Sequence, residues 1–125
     1  MIKKFKINSV LVCGSHLETP FKDSIKYKVF HIADDPREKI LALFDEGVDF
    51  MIQEKKQGNN VLIHCQAGRS RSGSFAIAYI MRTRGIPFME SLKFMQQRRE
   101  EVQPNQGFAA QLRLYEKKMA PVIKE

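Results

Sequence analysis

A cysteine followed six positions later by an arginine, with glycine and serine between them, could do phosphate chemistry: His64-Cys65-Gln66-Ala67-Gly68-Arg69-Ser70-Arg71-Ser72. These residue types meet three requirements for holding a tetrahedral anion. The residues after Cys65 can turn their backbone N–H groups inward, and Gly68 is free to take a positive φ or to approach the ligand closely. A helix starting after the loop adds its unpaired N–H groups and its positive dipole end. Arg71 offers a planar fork that can hold two phosphate oxygens at once. The same surroundings act on the thiol. A cysteine beside a helix N-terminus and a guanidinium has its pKa lowered, to as little as ~4–7. Cys65 is therefore expected to be largely thiolate at neutral pH, a nucleophile beneath a bound phosphate ester. The hydroxyls of Ser70 and Ser72 can hydrogen-bond the sulfur as thiolate or as leaving thiol. A lone Cys65 would read as a buried, inert thiol; the glycine, arginine and serine in register with it favour the nucleophile.

Such a segment needs a strand to deliver the cysteine and a helix to follow it. Val61-Leu62-Ile63-His64 is a short apolar run after Gly58-Asn59-Asn60. It predicts a central strand buried on both faces, as parallel pairing requires. Ile7-Asn8-Ser9-Val10-Leu11-Val12-Cys13-Gly14 predicts a second buried strand, and the alternation Tyr27-Lys28-Val29-Phe30-His31-Ile32 a third. Asp34-Asp35-Pro36 predicts a helix start, with capping carboxylates and proline at the first helical position. Ile40, Phe44, Val48, Met51 and Ile52 continue it at helical spacing until Gly58. A helix over 72–84 follows the loop and is capped by Gly85. Pro87 opens another, with Phe88, Leu92, Met95 and Val102 on one stripe, and Pro104-Asn105-Gln106-Gly107 breaks it. The last runs through Phe108, Leu112, Leu114 and Tyr115 to Lys117-Lys118. Strands early and helices late predict an α/β domain: a central, mostly parallel sheet of about four to five strands flanked by helices.

Composition narrows the class. With 125 residues there is room for a single domain, 1–125. Hydrophobic residues at 43% and charged residues at 28% argue against disorder. No apolar run approaches the roughly 18 residues a membrane span needs. Met1-Ile2-Lys3-Lys4-Phe5 is basic, but no apolar signal region follows it. Two cysteines, Cys13 and Cys65, cannot supply a disulfide framework or an all-cysteine zinc site. His16 and His31 lack metal-ligand spacing, so no metal and no cofactor is expected. A reducing cytoplasmic setting, with the nucleus as the alternative, is the expectation. The net charge of +7 points to an anionic partner and leaves phosphate, nucleic acid and acidic membrane open. Nucleic acid is disfavoured, because aromatics do not interleave with the basic residues.

His64-Cys65-x5-Arg71-Ser72 resembles the signature of the cysteine-dependent protein tyrosine phosphatase superfamily. Ala67-Gly68-x-Ser70-Arg71-Ser72 resembles the version in its dual-specificity branch. Ala78-Tyr79-Ile80-Met81 is similar to that branch's Ala-Tyr-Leu-Met helix. Pro104-Asn105-x-Gly107-Phe108-x-x-Gln111-Leu112 resembles the segment that closes its catalytic domain. The resemblance implies the phosphatase phosphate-loop fold and hydrolysis of phosphotyrosine and phosphoserine or phosphothreonine. Cys65 would attack phosphorus, while Gln66, Ala67, Gly68, Arg69, Ser70 and Arg71 hold the phosphate. An aspartate would protonate the leaving group and then activate water. Counting from Tyr27 along the branch's Tyr-x6-Asp pattern gives Asp34, leaving Asp35 to cap the helix at Pro36; the reverse assignment stays open. The resemblance further implies that Ser72 aids thiolate departure and Asn105 braces the phosphate loop. His64 would tune the thiol through hydrogen bonds, although alone it would read as a core histidine. The expected partners are phosphorylated proteins, met by a monomer.

Two features depart from the branch pattern. Relatives carry a strand and a short helix before the strand at Ile7, so the chain is expected to be cut short there or naturally minimal. Arg69 stands where many relatives have a small apolar residue, and it widens the positive field at the pocket mouth. Lipid phosphatases of the superfamily also carry basic residues in this loop. A phosphoinositide phosphatase, with anionic lipid as partner, is therefore one rival reading, and an RNA 5′-phosphatase another. A pseudophosphatase that holds phosphorylated partners without turnover is a further rival, opposed by the intact Cys65, Arg71 and Asp34. The absence of tryptophan opposes the larger tyrosine-specific branch, whose acid loop carries Trp-Pro-Asp. A shallower pocket is implied. In some superfamily members a second cysteine near the nucleophile forms a protective disulfide. Cys13 is a candidate for that role, with a small core residue as the plainer reading.

Overall fold

The first apolar run becomes the middle of the sheet. In the computed structural model, which describes residues 7–14, 25–65 and 70–118, Ile7–Cys13 forms β1, Lys26–Phe30 forms β2 and Asn60–His64 forms β3. The order is β2-β1-β3, with both pairings parallel. Val12 lies opposite Val29 on one side and His64 on the other. The helices are α1 (Leu41–Lys56), α2 (Arg71–Arg84), α3 (Phe88–Arg98) and α4 (Gln106–Lys118). The expected α/β architecture with a parallel sheet is present, and the described residues contain three strands where four to five were expected.

Burial along β1 follows the two-residue period of a strand. Leu11 and Cys13 belong to the large core cluster, whereas Val10 and Val12 join Ile25 in a smaller one. None of the four is more than 3% exposed. β1 is thus the strand buried on both faces, which corrects the expectation for 61–64. In β3, Val61, Leu62 and Ile63 are half-buried, and Asn60 and His64 are exposed. A parallel sheet buries best the strand with neighbours on both sides, and among the described residues that strand is β1.

An aromatic chain joins the helices to the sheet. Phe75 of α2 stacks on Phe30 of β2 at 5.2 Å and meets the edge of Phe44 of α1 at 5.4 Å. Phe44 in turn lies 5.3 Å from Tyr115 of α4. Such pairs contribute about 0.5–1.5 kcal/mol each beyond the area they bury. A buried carboxylate fixes the opposite end of α1. Glu54 accepts hydrogen bonds from Ser9 Oγ at 2.5 Å, Asn59 Nδ2 at 2.9 Å and Lys26 Nζ at 3.0 Å. The Ser9 hydroxyl above all holds this carboxyl below its ordinary range. α2 ends as expected, at Gly85 in the left-handed conformation with φ 64°.

Two boundaries differ from expectation. α1 begins at Leu41 and not at Pro36. Asp35 Oδ1 accepts the Arg37 N–H at 2.8 Å, and the Glu38 N–H bonds Asp35 O at 2.9 Å, so a turn closes there. Asp35 therefore does not cap α1. The N–H groups of Ile40 and Leu41 are instead accepted by Gln111 Oε1, each at 2.8 Å. Val102, expected on the α3 stripe, lies past the end of that helix and is 2% exposed. It packs on α2 at Gly73, where a Cβ would stand 3.0 Å from Val102 Cγ1.

Ser91 of α3 is fully buried, and its Oγ finds no hydrogen-bond partner among the described residues. An unpaired buried hydroxyl costs about 1–3 kcal/mol, and alanine is the better helix former. Ser91→Ala is expected to raise the unfolding free energy by about 1 kcal/mol and Tm by about 4 °C. Thermal denaturation reads the difference; an unchanged or lower Tm would mean the hydroxyl is satisfied.

Candidate active site

β3 runs straight into Cys65, which is 5% exposed. Ser72, in the first turn of α2, meets its sulfur twice: the backbone N–H lies 3.4 Å from Sγ and Oγ lies 3.1 Å from it. The sulfur therefore stands at the helix N-terminus, where N–H groups lack intrahelical partners and carry roughly half a positive charge. Such a field favours thiolate over thiol. Ser70 does something other than expected. Its Oγ accepts the Asn105 N–H at 2.8 Å, and its carbonyl accepts from Ser74 N at 2.9 Å and Ser74 Oγ at 2.5 Å. Gln66, Ala67, Gly68 and Arg69 lie outside the described residues.

Arg71 reaches across to the loop that follows β2. Its Nη1 donates to the Ile32 carbonyl at 3.2 Å. Two residues further along that loop, Asp34 Oδ1 accepts from Asn105 Nδ2 at 2.9 Å. Asn105 Oδ1 meanwhile accepts the Phe108 N–H at 2.8 Å, capping the start of α4. With its oxygen occupied by the cap, the amide turns its nitrogen to Asp34. Asn105 thus binds Ser70 through its backbone and Asp34 through its side chain, and so joins the start of α2 to the loop after β2. A cleft of about 650 Å³ lies here, lined in part by Asp34, Pro36, Ser70, Pro104 and Asn105.

The neighbouring carboxylate is engaged elsewhere. Asp35 takes both Nε and Nη2 of Arg37, at 3.1 and 2.9 Å. Those bonds hold its carboxyl down to about 2. His64, expected to tune the thiol through hydrogen bonds, is exposed at the end of β3. Two loop contacts had no role in the sequence reading. Glu38 Oε1 accepts the Ala33 N–H at 2.7 Å, and Gln111 Nε2 donates to the Glu38 carbonyl at 2.8 Å. Gln111 belongs to the closing motif that resembles the phosphatase branch, whereas Glu38 sits in a charged run with no local signal.

Cys13 ends β1, and the pairing of Val12 with His64 brings it beside Cys65 on the adjacent strand. Both cysteines are free and buried. Burial, and then the nearby Cys65, push the Cys13 thiol well above its ordinary range, with Arg71 opposing. Among the described residues no group of three or more His, Cys, Asp or Glu side chains could hold a metal ion. Nor is any helix among them long and apolar enough to cross a membrane.

The structure thus places Cys65 under the N-terminus of α2 and brings Asp34, Ser70 and Asn105 to one cleft. The family model for the dual specificity phosphatase catalytic domain matches residues 1–118. Dual specificity protein phosphatase 1 of Arabidopsis thaliana is 34% identical over 119 residues, covering 95% of this chain and 60% of that protein. The crystal structure of the human tyrosine phosphatase-like serine/threonine/tyrosine-interacting protein is 33% identical, with a TM-score of 0.90 over 95% of this chain and 82% of that one. Human DUSP28 superposes with a TM-score of 0.91 at 25% identity, over 97% of this chain and 85% of that one. The chain belongs to the dual specificity phosphatase family.

Native protein treated with iodoacetamide at neutral pH should leave Cys13 unlabelled until the chain is unfolded. Peptide mass mapping tests this; Cys13 labelling at the rate of a free thiol would contradict its buried, protonated state.

Proposed function

We propose that the chain hydrolyses phosphate monoesters on proteins, acting on phosphotyrosine and on phosphoserine or phosphothreonine, through a phosphocysteine intermediate. The observation that carries this reading is the sulfur of Cys65 under the first turn of α2, 3.4 Å from the Ser72 N–H. In the first step the Cys65 thiolate attacks phosphorus. A P–S bond forms, the ester P–O bond breaks, and Asp34 gives its proton to the leaving oxygen. Asn105 holds Oδ1 of that carboxyl, so Oδ2 carries the proton. In the second step the Asp34 carboxylate takes a proton from water as the water oxygen attacks phosphorus. The P–S bond breaks, and inorganic phosphate and the thiolate leave.

The remaining residues divide the charge. Arg71, steadied by the Ile32 carbonyl, and the N–H groups of Gln66, Ala67, Gly68, Arg69 and Ser70 hold the non-bridging oxygens. Ser72 Oγ lies 3.1 Å from the sulfur, accepting from the thiol, and its hydroxyl turns to donate to the thiolate as it departs. Asn105 keeps the acid loop and the phosphate loop in one frame. Membership of the dual specificity phosphatase family supports phosphorylated proteins as the substrate class. The lack of tryptophan supports a pocket shallow enough for the shorter phosphoserine and phosphothreonine.

Turnover of phenyl phosphate decides the reading. Cys65→Ser is expected to abolish it. Asp34→Ala should lower kcat by about 10²–10⁴-fold, the usual share of a general acid, while Asp35→Ala stays within about 3-fold of wild type. A wild type no faster than Cys65→Ser would overturn the enzyme. A larger loss in Asp35→Ala than in Asp34→Ala would move the acid role by one residue. Phosphotyrosine and phosphothreonine peptides, run beside phosphoinositides, then separate the substrate classes.

A further inference from the structure

We infer that Gly107 and Gln111, on α4, are positioning residues for the acid on the neighbouring loop; the inference rests on the phosphatase reading with Asp34 as acid. Between β2 and α1 the chain is gripped at close intervals. Arg71 holds the Ile32 carbonyl, Glu38 holds the Ala33 N–H and Asn105 holds the Asp34 carboxylate. Further on, Gln111 takes the Glu38 carbonyl and the N–H groups of Ile40 and Leu41. Between Asp34 and Glu38 α4 makes no hydrogen bond to the loop among the described residues, and there the grip is direct contact.

A Cβ at Gly107 would lie 1.8 Å from the Pro36 carbonyl oxygen and 2.5 Å from both its carbonyl carbon and its Cα. All three atoms are backbone, so no side-chain rotation could relieve the overlap. Gly107 is not among the glycines with positive φ. Its lack of a side chain therefore serves close approach, one of the two uses of glycine. The first turn of α4 rests on the peptide of Pro36, two residues after the acid. An alanine there must push that peptide back by about 1 Å or more, and a misplacement of that size at a reacting group costs on the order of 10²-fold in rate.

Gln111 completes the seat. Its Oε1 accepts two N–H groups that open α1, and its Nε2 donates to the Glu38 carbonyl at 2.8 Å and to Gly107 O at 3.3 Å. One side chain thus fixes the far end of the acid loop to the same helix turn that carries Gly107. Neither residue touches the substrate; both act through the place of the Asp34 carboxyl.

A displaced acid has a signature that a general loss of structure lacks. A phenolate that is a good leaving group departs without a proton, so its ester is insensitive to the acid; a poor leaving group needs the proton. The experiment compares wild type, Gly107→Ala, Gln111→Leu and Asp34→Ala on dinitrophenyl phosphate and on phenyl phosphate, with circular dichroism as the check on folding. Gly107→Ala is expected to lower kcat/KM on the order of 10²-fold for phenyl phosphate and less than about 3-fold for the dinitrophenyl ester. Gln111→Leu should show the same selective loss at about 10-fold, and should decide the matter alone if Gly107→Ala does not fold. Equal losses on both esters, or no loss on either, would overturn the inference while leaving the phosphatase intact. A wild type no faster than Cys65→Ser on both esters would instead remove the phosphatase reading, and this inference with it.

Discussion

Everything in the site depends on a helix N-terminus meeting a sulfur. The backbone donors that open α2 have no partners within the helix, and the Ser72 N–H stands 3.4 Å from Cys65 Sγ. That contact needs β3 to end at the sulfur and α2 to start within a short loop of it, a strand-loop-helix order that parallel pairing of β3 with β1 accommodates. It also needs α2 held firmly at both ends. The Ser74 bonds to the Ser70 carbonyl tighten its first turn, and Phe75 locks it between Phe30 and Phe44. At its far end Arg82 and Arg84 face the negative pole of the dipole, and Arg82 is tied to Asp45 and Asp49 of α1.

The same demand for partners shapes the loop between β2 and α1. Buried backbone donors must be satisfied from somewhere, and α1 has no capping side chain of its own. Gln111, about seventy positions away in the chain, supplies the acceptor. The start of α4 consequently does three things at once: Asn105 caps α4, Gln111 caps α1, and Gly107 lets the two segments touch. The closing motif of the chain thus carries the anchors of the loop that bears Asp34.

These long-range contacts mark where sequence reading succeeds and where it stops. The strand before Cys65 and the helix after it were legible because their signals are local: a short apolar run, then helical spacing ending at Gly85. The start of α1 was not, since Asp34-Asp35-Pro36 carries the local chemistry of a cap while the real acceptor comes from α4. β1 and β3 both read as buried strands, and only the order β2-β1-β3 decides which of them lies inside. Val102 continued the helical stripe in spacing, yet α3 ends at Arg98 and the valine folds back onto Gly73. Ser70 and Ser72 are alike in sequence; the turn of α2 gives the sulfur to one and Asn105 to the other.

Asp34 and Asp35 show how neighbouring carboxylates acquire different chemistry from their partners alone. Asp35 is paired with Arg37 through two guanidinium nitrogens and is held down to about 2. Asp34 has a neutral amide on one oxygen and faces the cleft. Asp35 thus closes a local pair with Arg37, while Arg71 ties the first turn of α2 to the loop after β2.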